Sequence, residues 1–355
     1  MVVSFPVMFP SPSVAMPDDA GAQGAATRMR DVAQRAGVSP MTVSRALRDP
    51  SKVSPAVLRL VEEAVRAVGY VPNRLAGGLS SMRTNVVGMV VPSLDNSLYS
   101  PTIQGVSAVL HAAGYQLMIG ECGHSPQGEE ALVAAFLAQR VAGLMLHGVH
   151  HTEAAAAMLR RAGIPVVETG SLSAKPLDMV VSYSNEAAAQ AMTLHLHRLG
   201  YRRIACVTLP SAGNERSRDR QRGYRAALAS VGLEADPALL MEMPPGLASG
   251  AEAVVRLLQS PAPPDAVFFA GDVLAAGALF ECQRRGWAVP TRVALAAFDD
   301  IDILRHVVPP VSTLRLPRAE IGRRGAEVLL DRIEGRAAGT VAVDLGFEIV
   351  QRGST

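Results

Sequence analysis

Cysteine is scarce in this 355-residue chain: Cys122, Cys206 and Cys282 are too few and too scattered for a disulfide framework or a Cys-x-x-Cys metal site. They read as reduced core thiols in a reducing compartment. No uninterrupted apolar run reaches membrane-spanning length, and no basic stretch precedes Phe5 to Met8, so neither a span nor a secretory leader is expected. Also missing are a Gly-x-x-x-x-Gly-Lys phosphate loop, a Gly-x-Gly-x-x-Gly turn after a strand, and any nucleophile–base pair. Nucleotide chemistry and catalysis therefore have no anchor; neither an enzyme nor a cofactor is expected. His147, His150, His151 and Glu153 lack helical metal-ligand spacing and read as loop residues. The acidic run Asp299-Asp300-Ile301-Asp302 lacks the glycine and terminal glutamate of a calcium loop.

What is present begins at residue 27. Met29, Val32, Ala33 and Ala36 share one helical face, and Gly37 supplies the left-handed turn after them. Ser39 then caps a second helix, with Pro40 at its first position, where a missing N–H costs nothing. Val43, Ala46 and Leu47 point back to the core, leaving Met41, Thr42, Ser44 and Arg45 outward. A third helix repeats the device at Ser54-Pro55, carries an apolar stripe through Val57, Leu60, Val61, Ala64, Val65 and Val68, and ends at Gly69. Three short helices of this kind make a helix-turn-helix head whose second helix lies against DNA.

Charge points the same way. Residues 28–83 hold ten Lys and Arg against four Asp and Glu, whereas residues 84–355 hold 24 against 26. A basic head on a slightly acidic body suits phosphate binding by counterion release.

The blocks Asp31-Val32-Ala33-Gln34-Arg35-Ala36-Gly37-Val38-Ser39, Thr42-Val43-Ser44-Arg45, Val53-Ser54 and Gly69-Tyr70-Val71-Pro72-Asn73-Arg74 resemble the head of the lactose/galactose-repressor (LacI/GalR) family. Further on, Gly277-Ala278-Leu279-Phe280-Glu281-Cys282-Gln283-Arg284-Arg285-Gly286 and Asp344-Leu345-Gly346-Phe347-Glu348 are similar to the gluconate-operon repressors within it. The resemblance implies a homodimeric repressor whose two heads read a pseudo-palindromic operator, with a sugar-acid effector such as gluconate acting as inducer. It places Pro40, Met41 and Arg45 at base contacts, with Thr42, Ser44, Asn73 and Arg74 beside them. Proline cannot donate a hydrogen bond, so Pro40 would contribute shape and apolar contact. Residues 75–81 match the family's hinge helix, and Leu79 its minor-groove wedge. Gly77 and Gly78, each costing roughly 1 kcal/mol relative to alanine in a helix, imply a hinge that folds only on the operator.

The expected organisation is a disordered extension (1–26), a helix-turn-helix domain (27–73), a hinge (74–83) and a two-lobe effector-binding and dimerisation domain (84–355). The alternative for residues 1–26 is upstream sequence from a misassigned start. Strand-like runs at 86–91, 116–119, 144–147, 166–168, 204–208, 267–270 and 293–298 alternate with alanine-rich amphipathic segments. That alternation argues for parallel sheets covered by helices on both faces, an α/β body of the periplasmic-binding-protein type. Ligands of such sheets bind beyond the strands' carboxyl ends, where polar residues gather here. By family position Arg216 and Arg220 would hold the effector's carboxylate, Asp299 would accept hydroxyls, Tyr99 and His147 would form a wall, and Asp272 would assist. The competing readings are a solvated or hinge-bridging Arg216, a core Tyr99, and helix capping by Asp299 or Asp300. The chain stops within seven residues of Glu348, leaving no room for a tetramerising heptad tail, so a dimer is expected. The expected address is the cytoplasm, beside the chromosome. The alternatives are a corepressor-dependent regulator of another carbohydrate pathway and a cytosolic sugar-binding protein with an incidental helical head.

Overall fold

The computed structural model describes residues 27–71, 84–95 and 97–355, and divides between residues 82 and 83 into a small helical unit and a large α/β unit. Asn73, Arg74 and Leu79, with the whole expected hinge and residues 1–26, lie outside the described residues.

In the small unit α1 (Met29–Ala36) is closed at its start by the Arg28 amide donating to Asp31 at 2.7 Å. It ends at Gly37, whose φ of +65° only glycine adopts without strain. Helix α2 (Pro40–Arg48) begins at Ser39, whose hydroxyl accepts the Thr42 amide at 3.1 Å. Helix α3 (Pro55–Val68) starts the same way at Ser54 and stops at Gly69. Val32, Ala33, Val43, Ala46, Val61 and Ala64 form the buried centre. Leu60 departs from the expected stripe. It is half exposed, and Leu58 packs on the core in its place.

The large unit holds two six-stranded sheets. The strands are β1 (Val86–Val91), β2 (Gln116–Glu121), β3 (Gly143–His147), β4 (Val166–Thr169) and β5 (Met179–Ser182), then β6 (Ile204–Thr208), β7 (Leu240–Glu242), β8 (Ala266–Phe269), β9 (Ala294–Phe298), β10 (Ser312–Arg315), β11 (Val341–Asp344) and β12 (Glu348–Val350). One sheet runs β11-β5-β4-β3-β1-β2 and the other β12-β10-β9-β8-β6-β7. Every pairing is parallel except β10 with β12. Strands such as β3 and β9 are apolar along their length because helices cover both faces.

The first lobe carries α4 (Ser100–Ala112), α5 (Pro126–Ala138) and α6 (Glu153–Ala162). The second carries α7 (Asn185–Arg198), α8 (Glu215–Ser230), α9 (Leu247–Leu258), α10 (Asp272–Arg284) and the short α11 (Ile303–His306). The last helix, α12 (Arg318–Ile333), follows a second-lobe strand but packs on α4 and on β3 to β5 of the first lobe. The chain therefore crosses between lobes three times: β5 to α7, β10 to α12, and β11 to β12. Glycine makes the α4–α12 contact close. A methyl on Gly105 would come within 2.3 Å of the Ala319 carbonyl oxygen, and one on Gly322 within 2.1 Å of that of Thr102.

Candidate functional site

On the head, α2 presents one face outward. Pro40, Met41 and Arg45 are exposed, Met41 by 71%, while Thr42 and Ser44 are half-buried. Thr42 is partly committed already, its hydroxyl lying 2.9 Å from that of Ser39. This is the face that a major-groove helix offers to base edges.

In the body, a cavity of about 550 Å³ opens beyond the carboxyl ends of the strands, between the lobes. Tyr99, His147, Arg216, Arg220, Asp272 and Asp299, the six body residues singled out in the sequence, all line it. From the first lobe come Tyr99, just ahead of α4, and His147, the last residue of β3. Their rings meet edge to face, 4.9 Å between centroids. Burial holds the His147 imidazole well below its ordinary range, and Arg216 and Arg318 press the same way, so the ring is neutral. Burial likewise raises Tyr99.

The second lobe supplies the charges. Arg220, one turn into α8, donates through Nε to Asn185 Oδ1 and through Nη1 to the Ala270 carbonyl, both at 2.9 Å. Its guanidinium lies 3.6 Å from the centroid of the Phe298 ring, a cation–π contact that fixes the plane of the fork. Both bonded partners are neutral. Arg216 differs: it donates to Glu215 at 3.1 Å and, across the cleft, to the His147 carbonyl at 3.3 Å. It is at once a cavity residue and a bridge between lobes.

Asp272 opens α10 and is buried. Its Oδ1 accepts the Val273 amide at 2.7 Å, whereas Oδ2 has no hydrogen-bond partner among the described residues. Burial first, and Asp299 second, push this carboxyl up to about 6. Asp299 follows β9 at φ +77°, a left-handed conformation in which Asp is tolerated better than most residues. Both its oxygens accept from Arg318, Nε to Oδ1 at 2.7 Å and Nη2 to Oδ2 at 2.6 Å. Neither carboxylate of the Asp299–Asp300 pair caps α11, which has no side-chain cap among the described residues. Asp300 instead accepts from Arg315 and Arg352 and pairs with Arg305.

The sequence did not single out Arg318, Asn185 or Phe298. Their roles come from partners 19 or more residues away, which no local spacing signals. His150 and His151 do lie in the loop between β3 and α6, while His147 ends β3 and Glu153 opens α6. The His151 side chain is nonetheless buried, 2.5 Å from Glu129 and 3.0 Å from Glu168. Among the described residues no His, Cys, Asp and Glu group is arranged to hold a metal, and no helix is long and apolar enough to cross a membrane.

Comparison with known proteins converges on this geometry. Residues 28–73 match the bacterial regulatory proteins of the lacI family, and residues 193–355 match a periplasmic binding protein-like domain. The HTH-type transcriptional regulator GntR of Pseudomonas aeruginosa is 40% identical over 329 residues, 92% of this chain and 95% of that one. This chain belongs to the LacI family. GntR of Escherichia coli K12 is 36% identical over 326 residues, covering 92% and 98% of the two chains. A LacI-family transcriptional regulator from Silicibacter pomeroyi superposes with a TM-score of 0.86 at 33% identity, covering 92% of this chain and 99% of its own. As a LacI-family member, the chain is a DNA-binding transcriptional repressor under the control of a sugar effector, and not an enzyme. The head is the family's helix-turn-helix, and the two-lobed body its periplasmic-binding-like sensor.

Proposed function

We propose that the inter-lobe cavity binds a sugar acid, gluconate or a related aldonate, as inducer. The carrying observation is the pairing, around one space, of a guanidinium bonded to neutral groups and a carboxyl oxygen left over. Arg220 is a half-buried guanidinium whose bonded partners are neutral, and Asp272 presents an oxygen with no hydrogen-bond partner among the described residues. A ligand with a carboxylate at one end and hydroxyls along its length satisfies both. Arg216 adds a second donor toward the anionic end, Asp299 retains lone pairs for a hydroxyl, and Tyr99 with neutral His147 form the wall against carbon.

In the head, Pro40, Met41, Thr42, Ser44 and Arg45 contact the operator. Asn73, Arg74 and Leu79 of the connecting segment assist, and residues 74–83 act as the hinge between head and body. Two copies of the chain read one pseudo-palindromic site, in the cytoplasm, beside the chromosome. Effector binding changes lobe closure, separates the hinges and weakens the grip on DNA.

Calorimetric titration of the full chain with a panel of hexonates and ketohexonates tests the ligand. Gluconate or a close aldonate should bind and release a DNA fragment selected with the native protein from a random pool. Tightened DNA binding on adding the ligand, or no hexonate binding at all, would overturn the proposal. Arg45→Ala should cost roughly 1–3 kcal/mol on that fragment and relax discrimination at one base pair.

A further inference from the structure

The Asp299–Arg318 pair is buried, the two side chains being 4% and 8% exposed, and it faces the cavity. Its two halves belong to different bodies. Asp299 ends a second-lobe strand, and its carbonyl accepts the Thr313 hydroxyl of neighbouring β10 at 2.6 Å. Arg318 begins α12, whose first turns pack closely on α4: its carbonyl accepts the Thr102 hydroxyl at 3.1 Å, and Gly322 lets the two backbones approach, since a methyl there would meet the Thr102 carbonyl oxygen. The Arg318 guanidinium also lies 3.4 Å from the hydroxyl of Tyr183, on the β5–α7 crossover. One side chain thus ties two of the three inter-lobe crossovers to the tip of β9. Any change in lobe angle must move the fork against the carboxylate.

Buried ion pairs are weak devices for stability, because desolvation offsets much of the attraction, but they demand one geometry. A bidentate fork fixes the plane of a carboxylate, and with it the directions of the lone pairs left over for a ligand. We infer that Arg318 is a positioning residue and inter-lobe latch: it aims Asp299 at the effector's hydroxyls and carries cavity occupancy to the hinge. The inference rests on the cavity being the effector site.

The test uses the full chain, native and Arg318→Lys, with gluconate and the pool-selected DNA fragment. Lysine keeps the charge but cannot make the fork. Arg318→Lys should bind gluconate at least tenfold more weakly. At saturating gluconate, the ratio of DNA affinities without and with ligand should fall at least fivefold toward one, while ligand-free DNA binding stays within threefold of native. A general loss of structure would not move that ratio selectively. Should the lysine variant fold poorly, the neutral pair Asp299→Asn with Arg318→Met should show the same collapse. An undiminished ratio in a variant that binds gluconate would overturn the latch. If native protein binds no hexonate, the reading of the cavity fails, and hydrogen exchange without ligand decides the latch. Amides at 183–185 and 315–321 should then exchange at least tenfold faster in Arg318→Lys, with β1 unchanged; equal protection would overturn it.

Discussion

Asp272 keeps a buried oxygen without a partner among the described residues, a cost to the fold that a ligand can relieve. Its folded-state pKa of about 6 lies above the ordinary 3.8. The neutral form is therefore the one the fold tolerates. The penalty is absent below 3.8, grows as pH rises through that value, and is complete above about 6, where it amounts to about 3 kcal/mol. Asp272→Asn should raise the melting temperature by a few degrees at pH 7.5, by less than half as much at pH 4.5, and weaken hexonate binding. Scanning calorimetry at both pH values reads this, and a lower melting temperature at pH 7.5 would contradict it. His151 runs in the opposite sense. Burial pulls it down, but its bonds to Glu129 and Glu168 lift it from 6.5 to about 9. Its contribution of about 3 kcal/mol is full below 6.5 and is lost as pH rises through about 9. Native protein should lose thermal stability between pH 7 and 9.5, and His151→Gln, already less stable at pH 7, should lose markedly less over that interval. Parallel melting curves for the two proteins would refute the assignment. No local pattern distinguishes His151 from its neighbour His150: the glutamates that bury it come from α5 and β4, 22 and 17 residues away.

At the scale of elements, glycine decides how closely α12 approaches α4. In an exposed helix Gly→Ala gains about 1 kcal/mol. At Gly322 the added methyl would meet the Thr102 carbonyl at 2.1 Å, so overpacking outweighs propensity, and Gly322→Ala should destabilise the body by about 1–3 kcal/mol. A lowered urea midpoint with unchanged slope is the expected result, and an unchanged midpoint would show that the helices part freely. The helix boundaries of the head were legible in sequence because caps are local chemistry: Ser39-Pro40, Ser54-Pro55, Gly37 and Gly69 all mark the ends they occupy. Strands β1 to β4, β6, β8 and β9 were legible too, as strand-like runs alternating with helical segments. Strands β5, β7 and β10 to β12 were not read, and their place is fixed by pairing. The crossing of α12 to the first lobe leaves no sequence mark, since an apolar helix face does not say which sheet it covers. That is why Arg318 escaped notice while the six other cavity residues, at strand ends and the start of α8, did not.

At the scale of the whole molecule, regulation requires that the cavity and the DNA-facing helix exchange free energy, and such exchange is reciprocal. If saturating gluconate weakens operator binding a hundredfold, about 2.7 kcal/mol of coupling, bound operator must weaken gluconate by the same hundredfold. The size of the effect is set by differential contact: a ligand that fits open and closed lobes equally shifts nothing, however tightly it binds. Contacts that span the cleft, Arg216 to the His147 carbonyl and Arg318 to Asp299, are where such a difference arises. Titrating gluconate into free protein and into protein saturated with the selected DNA fragment measures the second leg of the cycle. Ionic strength must be held constant between the two, because phosphate contacts release counterions and the DNA leg alone varies steeply with salt. Matching factors on the two legs would make the cavity the sensor of DNA binding. Equal gluconate affinity for free and DNA-bound protein would mean that gluconate is not the effector, and that Arg220 and Asp272 await a different acid.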